Sequence, residues 1–143
     1  MTAVFFIYLA TLFYFVFFST DLGSDKASIS QYPTINLIPF RTIKHYFKVR
    51  NILNPSVFII NVYGNIAAFM PFGFLMPFVK CKSDKWRWIL LSSIILSLFI
   101  ELTQITLGVG VIDVDDVVLN VAGGILGYIF YKLTKSIFKD DKS

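Results

Sequence analysis

The chain has very little of what soluble enzymes and secreted domains usually depend on. Its 143 residues include one cysteine, Cys81, one histidine, His45, and one glutamate, Glu101, and only 15% of the residues are charged. A single cysteine excludes an internal disulfide framework and a cysteine-based metal site. With so few of these side chains, neither a Ser-His-Asp set nor a Cys-His pair can be assembled convincingly.

What the chain has in abundance is apolar residues. Hydrophobic residues make up 56% of it and aromatic residues 17%, which is too apolar for an ordinary soluble domain. The net charge is +4, but basic residues in a membrane protein usually mark its loops and set its orientation. We therefore predict an integral membrane protein with no nucleic-acid partner.

Uncharged runs of sufficient length give the number of membrane spans. A bilayer core of about 30 Å needs about 20 mostly apolar residues per helix, with about 17 as a lower bound. Four runs are predicted to be spans, at about residues 2–18, 55–79, 88–108 and 117–132. The third is broken only by Glu101, and the fourth is short, although Lys132 can snorkel and so extend it. The first run lacks a basic start and an A-x-A-like exit, which indicates a retained anchor and not a signal peptide. The prediction is an all-α membrane protein, a bundle of four transmembrane helices forming a single domain over residues 1–143.

The distribution of basic residues predicts the orientation of the bundle. The short loop "KCKSDKWR" and the C-terminal tail carry lysines and arginine, whereas "VGVIDVDD" carries three aspartates and neither Lys nor Arg. Positive charge favours the cytoplasmic side, most reliably in short loops. We expect both termini in the cytoplasm, with the aspartate loop and the long first loop outside the cell membrane.

The long first loop contains a short basic helix pattern, "RTIKHYFKVR". Its apolar residues fall on one helical face and its polar residues elsewhere, the first set being Phe40, Ile43 and Phe47 and the second Arg41, Lys44, His45 and Lys48. This pattern predicts an amphipathic helix at the membrane interface. Either the helix rests on lipid headgroups, or its cations meet a phosphate-bearing ligand.

Polar side chains inside the spans are predicted to lie at one depth. Helical spacing and the alternating direction of the spans bring them all to the outer half of the membrane: Asn61, Asn65, Glu101, Gln104, Asp113, Asp115, Asp116 and Asn120. Polar groups that face lipid cost several kcal/mol each, so these should turn toward one another or toward a cleft. We predict one outward-facing polar pocket.

A hydrogen-bond network between helices, without any ligand, would also account for the amides. Glu101 favours the pocket, because an ionisable residue inside a span indicates a functional site. Glu101 with Asp113 or Asp116 would also suit a hydrolytic carboxylate pair, although the spacing does not demand it. Carboxylates can hold a divalent cation, but "DVDD" does not follow an EF-hand, and we predict neither a metal nor a cofactor.

Smaller features indicate packing. Gly123 and Gly127 have the G-x-x-x-G spacing that lets a neighbouring helix approach closely. Pro71 and Pro77 fall inside the second span, where proline should kink or interrupt a helix. One of the aspartates, Asp115 or Asp116, suits the N-cap position of the fourth span.

Four stretches in this order and spacing resemble the VanZ family of small bacterial membrane proteins. They are "NLIPF", "GNIAAFMPFGF", "ELTQ" and "DVDDVVLNVAGGILGY", and the resemblance covers nearly the whole chain. The family's typical "GR-x-x-D" pattern is here "VGVID", without the arginine. That departure puts in doubt any anion-binding role assigned to this position.

The resemblance implies an accessory factor in low-level resistance to teicoplanin-type lipoglycopeptides in a bacterial cell membrane. The leading hypothesis is a binding protein that engages a lipid-linked cell-wall component or a lipoglycopeptide at the outer leaflet, with membrane lipids as its other partners. The alternatives are an intramembrane enzyme with Glu101 as its candidate catalytic acid or base, and a structural or partner-binding bundle. The candidate ligand-binding residues are Asn36, Arg41, Asn61, Asn65, Glu101, Gln104, Asp113, Asp116 and Asn120.

Overall fold

A computed structural model describes residues 1–18, 35–49, 59–79, 86–107 and 112–140. Three of the sequence predictions fall outside these ranges: the loop with Cys81 that is predicted to be cytoplasmic, the start of the second span at Pro55, and the 108–111 stretch that lacks the family's arginine.

The described chain is helical except for two very short strands. Its helices are α1 (Thr2–Phe18), α2 (Arg41–Val49), α3 (Asn65–Val79), α4 (Trp86–Thr106) and α5 (Val114–Asp140), and a π-helical turn at Ile59–Gly64 leads into α3. The helix α1 has the bounds predicted for the first span. The last helix is longer than predicted, since it begins at Val114 and continues through the basic tail to Asp140.

Three helical stretches within the described residues are long and apolar enough to cross a membrane. They are Ile59–Val79, Trp86–Thr106 and Val114–Ile137. The apolar helix α1 is shorter, at 17 residues, so a fourth crossing stays a prediction. It packs against α3 through Phe5 and Leu12, which are buried with Phe69 and Phe72.

A polar contact adds to this packing. The Tyr8 hydroxyl on α1 donates a hydrogen bond of 2.6 Å to the Ala68 carbonyl on α3. A phenol buried among apolar helices needs such an acceptor, because an unpaired hydroxyl in that environment is costly.

The two strands were not predicted. The strands β1 (Ile35–Asn36) and β2 (Ile112–Asp113) pair in parallel, with Ile35 opposite Ile112 and Asn36 opposite Asp113. Two residues are too few to produce the alternation by which strands are recognised in a sequence. The strictly all-α description is therefore wrong at this point, and the ladder ties the first loop to the start of α5.

Glycines let α3 and α5 pack almost backbone to backbone. A Cβ atom at Gly123 would overlap the Ile66 carbonyl, one at Gly127 the Met70 carbonyl, and one at Gly73 the Gly124 carbonyl. The G-x-x-x-G pair is therefore part of the contact surface between these two helices. Helix α3 continues through Pro71 and Pro77 to Val79, and the predicted kink stays a prediction.

We expect Gly127→Ala to destabilise the protein, because its new methyl group would collide with the α3 backbone. Overpacking of this kind costs roughly 1–3 kcal/mol. A thermal unfolding series in detergent measures the loss. The matched control is Gly64→Ala, where the nearest side-chain atom, Ile60 Cγ2, lies at an ordinary 3.9 Å. Equal melting temperatures for the two variants would contradict this account of the interface.

Candidate functional site

Acidic side chains gather at one end of the bundle. Helix α4 reaches this end with its C-terminal half, and α3 and α5 begin there. The buried acidic residues are Glu101, Asp113, Asp115 and Asp116, and we call them the acidic end. Asn36, Asn61 and Asn120 are buried as well. Buried polar groups need hydrogen-bond partners, and the structure shows such partners for most of these side chains.

Asp115 is fully buried and holds the N-terminus of α2. Its Oδ1 accepts a hydrogen bond from the Phe40 N–H, and its Oδ2 accepts from the Thr42 and Ile43 N–H groups at 2.7 and 3.0 Å. The first N–H groups of a helix have no partner within it, and a carboxylate there also interacts favourably with the helix dipole. Asp115 thus caps a helix that precedes it by more than 70 residues.

The sequence prediction that Asp115 or Asp116 is the N-cap of α5 is wrong. Helix α5 begins one residue earlier than Asp115, and Asp113 Oδ1 accepts a hydrogen bond of 2.9 Å from the Asp115 N–H. This is the bond expected of an N-cap residue. Asp113 therefore caps its own helix, which leaves the Asp115 carboxylate available for α2.

Asn36 and Thr42 complete the environment of Asp113. The Asn36 amide donates to Asp113 Oδ1 at 3.0 Å and to Thr42 Oγ1 at 2.9 Å, and its own oxygen accepts from the Ile38 N–H at 3.3 Å. Burial raises the pKa of Asp113, while the hydrogen bond from the Thr42 hydroxyl opposes that rise. Asn36 is thus a connector between β1, α2 and the start of α5.

Glu101 connects α4 to the same group. It is only 4% exposed, and its Oε2 accepts a hydrogen bond of 3.2 Å from the Asp113 N–H. Asp116 accepts a bond of 2.8 Å from the Asn65 amide, which brings in α3. Carboxylates and amides from four segments therefore meet at one end of the bundle.

Sequence reasoning missed a line of serines below Glu101. Ser93, Ser97 and Glu101 are spaced by four residues on α4, and both serines are fully buried. Ser97 Oγ accepts a bond of 2.9 Å from the Asn120 amide of α5. The four-residue spacing was a usable signal, because it puts all three side chains on one helical face.

The remaining predicted residues lie less deeply. Asn65 and Gln104 are half-buried, and Asn61 is buried within the π-helical turn. Arg41 is exposed at the first position of α2. The described part of the chain has no group of three or more His, Cys, Asp or Glu side chains placed to hold a metal ion. Through its carboxylates and amides the site can accept hydrogen bonds and carry negative charge. Arg41 places a cation beside it.

We expect Asp115→Asn to loosen α2 selectively, since an amide offers one acceptor oxygen where the carboxylate offers two. Hydrogen bonds to charged groups contribute about 1.5–3 kcal/mol, so exchange of the α2 amide hydrogens should be faster by roughly one order of magnitude or more. Hydrogen-exchange mass spectrometry on the full chain measures this. The control is Asp116→Asn, which removes a neighbouring charge but not the cap. If both variants leave α2 equally protected, Asp115 does not hold the helix.

Asp113 should make stability depend on pH. Its folded-state pKa is raised, so its contribution to stability is fully present below the unfolded-state pKa and is lost as pH rises through the folded-state value. As pH rises through this range, the melting temperature of the wild-type protein should fall relative to that of Asp113→Asn. Melting curves of both proteins across a pH series measure the difference. A constant difference between the two proteins would contradict the raised pKa.

Comparison with known proteins adds the family. The sequence model of the VanZ/LLP1 family matches residues 5–136. Protein VanZ of Enterococcus faecium is 26% identical over 140 residues, which cover 95% of this chain and 76% of that protein. No solved structure matches the chain. The family match begins within α1, ends within α5 and includes every residue of the acidic end. With its three long apolar helices, the chain is therefore a membrane protein that belongs to the VanZ/LLP1 family.

Proposed function

We propose that this protein is an accessory factor in low-level resistance to teicoplanin-type lipoglycopeptides. In this proposal it engages a lipid-linked cell-wall component or a lipoglycopeptide through the acidic end, at the outer leaflet of the bacterial cell membrane. Membership of the VanZ/LLP1 family supports the role in resistance. The buried Glu101 carboxylate supports the choice of site.

The Glu101 carboxylate carries the proposal, because it is an ionisable group buried inside an apolar helix that is long enough to cross a membrane. The hydrogen bond that it accepts from the Asp113 N–H needs only an acceptor oxygen, and glutamine would supply one. A carboxylate inside a membrane-spanning helix is costly and usually serves a function. We infer that the charge or the proton of Glu101 is used.

The orientation rests on the cations at the opposite end. Arg87 lies at the start of α4, and Lys132 and Lys135 lie near the end of α5, where each lysine stands over a tyrosine ring. By the positive-inside rule this end faces the cytoplasm, with both termini. The acidic end then faces outward, where cell-wall precursors and antibiotics are present.

A ligand at the acidic end would meet Arg41 first. This side chain is exposed at the start of α2, directly beside the backbone that Asp115 holds. Arginine binds carboxylate and phosphate groups through two parallel hydrogen bonds. Arg41 would therefore bind an anionic group of the ligand, and the acidic residues would favour a cationic or hydrogen-bond-donating group.

A structural bundle is the second candidate, because the polar side chains already bond to one another. The pairs Asn65 with Asp116 and Asn120 with Ser97 join three helices without any ligand. In this case variants of Asn61, Glu101 and Asn120 would lose folded protein and activity together. If the protein were instead an intramembrane enzyme, extracts of expressing cells would contain a chemically altered lipid precursor.

We expect Glu101→Gln to abolish the teicoplanin resistance that the protein confers while leaving its abundance in the membrane unchanged. Glutamine keeps the size and one acceptor oxygen but removes the charge. Minimum inhibitory concentrations in expressing cells, normalised to membrane-inserted protein, measure the effect. Retained resistance in Glu101→Asp would indicate a charge or proton role.

The control is Thr106→Ala on the same helix, where the hydroxyl is exposed and bonds only its own helix at the Thr103 carbonyl. This variant should confer wild-type resistance. If Glu101→Gln also does so at equal abundance, the acidic end is not the functional site.

A further inference from the structure

A group of large apolar side chains is exposed beside the acidic end. They are between 47% and 68% exposed and come from a short stretch of the first loop: Ile35, Leu37, Ile38, Phe40 and Phe47. Soluble surfaces rarely collect so much apolar area in one place. This group therefore needs an apolar environment.

The same stretch is positively charged. Arg41, Lys44 and Lys48 are exposed on α2, and residues 35–49 contain no aspartate or glutamate. We call residues 35–48 the interfacial segment. Apolar side chains combined with cations in this way are typical of helices that lie in the headgroup region of a membrane.

The interfacial segment cannot rotate freely on the bundle. Tyr46 is buried against Val62 and Leu119, and Ile43 packs beside it. Asp115 also holds the N-terminus of α2 through hydrogen bonds to its backbone. Because two independent contacts hold the helix, the face with Phe40, Phe47 and the cations stays turned away from the bundle.

The length of α4 sets the depth of this segment. Its 21 residues span roughly 31 Å at about 1.5 Å per residue, close to the bilayer core of about 30 Å. The end of α4 at Thr106 therefore lies near the hydrocarbon boundary. The Asp113 N–H bonds to Glu101, which lies five residues before that end, and Asn36 pairs with Asp113. These contacts place the start of the interfacial segment within roughly 8 Å of the boundary.

We propose that the interfacial segment is a binding site for anionic phospholipid headgroups. Its exposed apolar side chains enter the acyl region, and Arg41, Lys44 and Lys48 bind the lipid phosphates. Charge complementarity and continuity with the spanning helices identify the bilayer surface as the occupant. The inference does not rest on the proposed function, since it holds whether or not the protein confers resistance.

The first experiment measures depth. Nitroxide labels are placed on the full chain, in a Cys81→Ser background, at Leu37→Cys, Ile38→Cys and Phe47→Cys, with Lys44→Cys as the matched control on the cationic side. In vesicles of phosphatidylcholine and phosphatidylglycerol, oxygen should reach the three apolar positions better than a water-soluble nickel complex does. The control should show the reverse. Nickel access at all four positions alike would overturn the proposal.

The second experiment measures lipid preference. A fluorescent label at Phe47→Cys, or at Ile38→Cys if the first variant folds poorly, is quenched by nitroxide-bearing phosphatidylglycerol or phosphatidylcholine. The anionic lipid should quench more strongly than phosphatidylcholine. The ratio of the binding constants of the two lipids should fall roughly fivefold for each cation changed to glutamine at Arg41, Lys44 or Lys48.

The matched control is Lys132→Gln with Lys135→Gln at the opposite end of α5, which should leave this preference unchanged. Equal quenching by the two lipids in the wild-type background would overturn the assignment to anionic headgroups. Teicoplanin susceptibility is not a readout of either experiment, so failure here is separable from failure of the proposed function.

Discussion

The arrangement of the acidic end depends on the carboxylate of Asp115. It has no exposed surface, and it satisfies three backbone N–H groups at the start of α2. Near the hydrocarbon region, where little water is available, an unpaired N–H group costs several kcal/mol. One buried side chain thus decides where a surface helix sits. Asp113 supports it, because it caps α5 and lets Asp115 point at α2 instead.

Two kinds of polar group at this end have different tasks. Asn36, Asp113 and Asp115 join backbone segments, and the bonds that they make explain their presence. Glu101 differs, since it is an ionisable side chain buried inside an apolar helix, where such a residue usually serves a function. The interfacial segment adds a third task, the proposed contact with the bilayer.

Periodicity and charge predicted the helices well, because an apolar run of sufficient length has few alternatives in a membrane. The prediction that Glu101, Asp116 and Asn120 lie at one depth followed from the rise of the helix and the alternating direction of the spans, and it stays a prediction. The partner of Asp115 could not be found in this way, since its N–H donors lie 72 to 75 residues earlier in the chain. The strands β1 and β2 were missed for a related reason, as two residues carry no repeat. Ser93 and Ser97 were missed although their spacing with Glu101 was visible.

The Asp115 contact also imposes an order on biogenesis. The N–H groups of Phe40, Thr42 and Ile43 leave the ribosome long before Asp115 is synthesised, and α4 must insert in between. The nascent segment therefore lacks its cap while α3 and α4 are made. Its exposed apolar and cationic side chains would keep it on the lipid during that interval. Docking onto the bundle is thus a late event in synthesis, completed only when the start of α5 arrives.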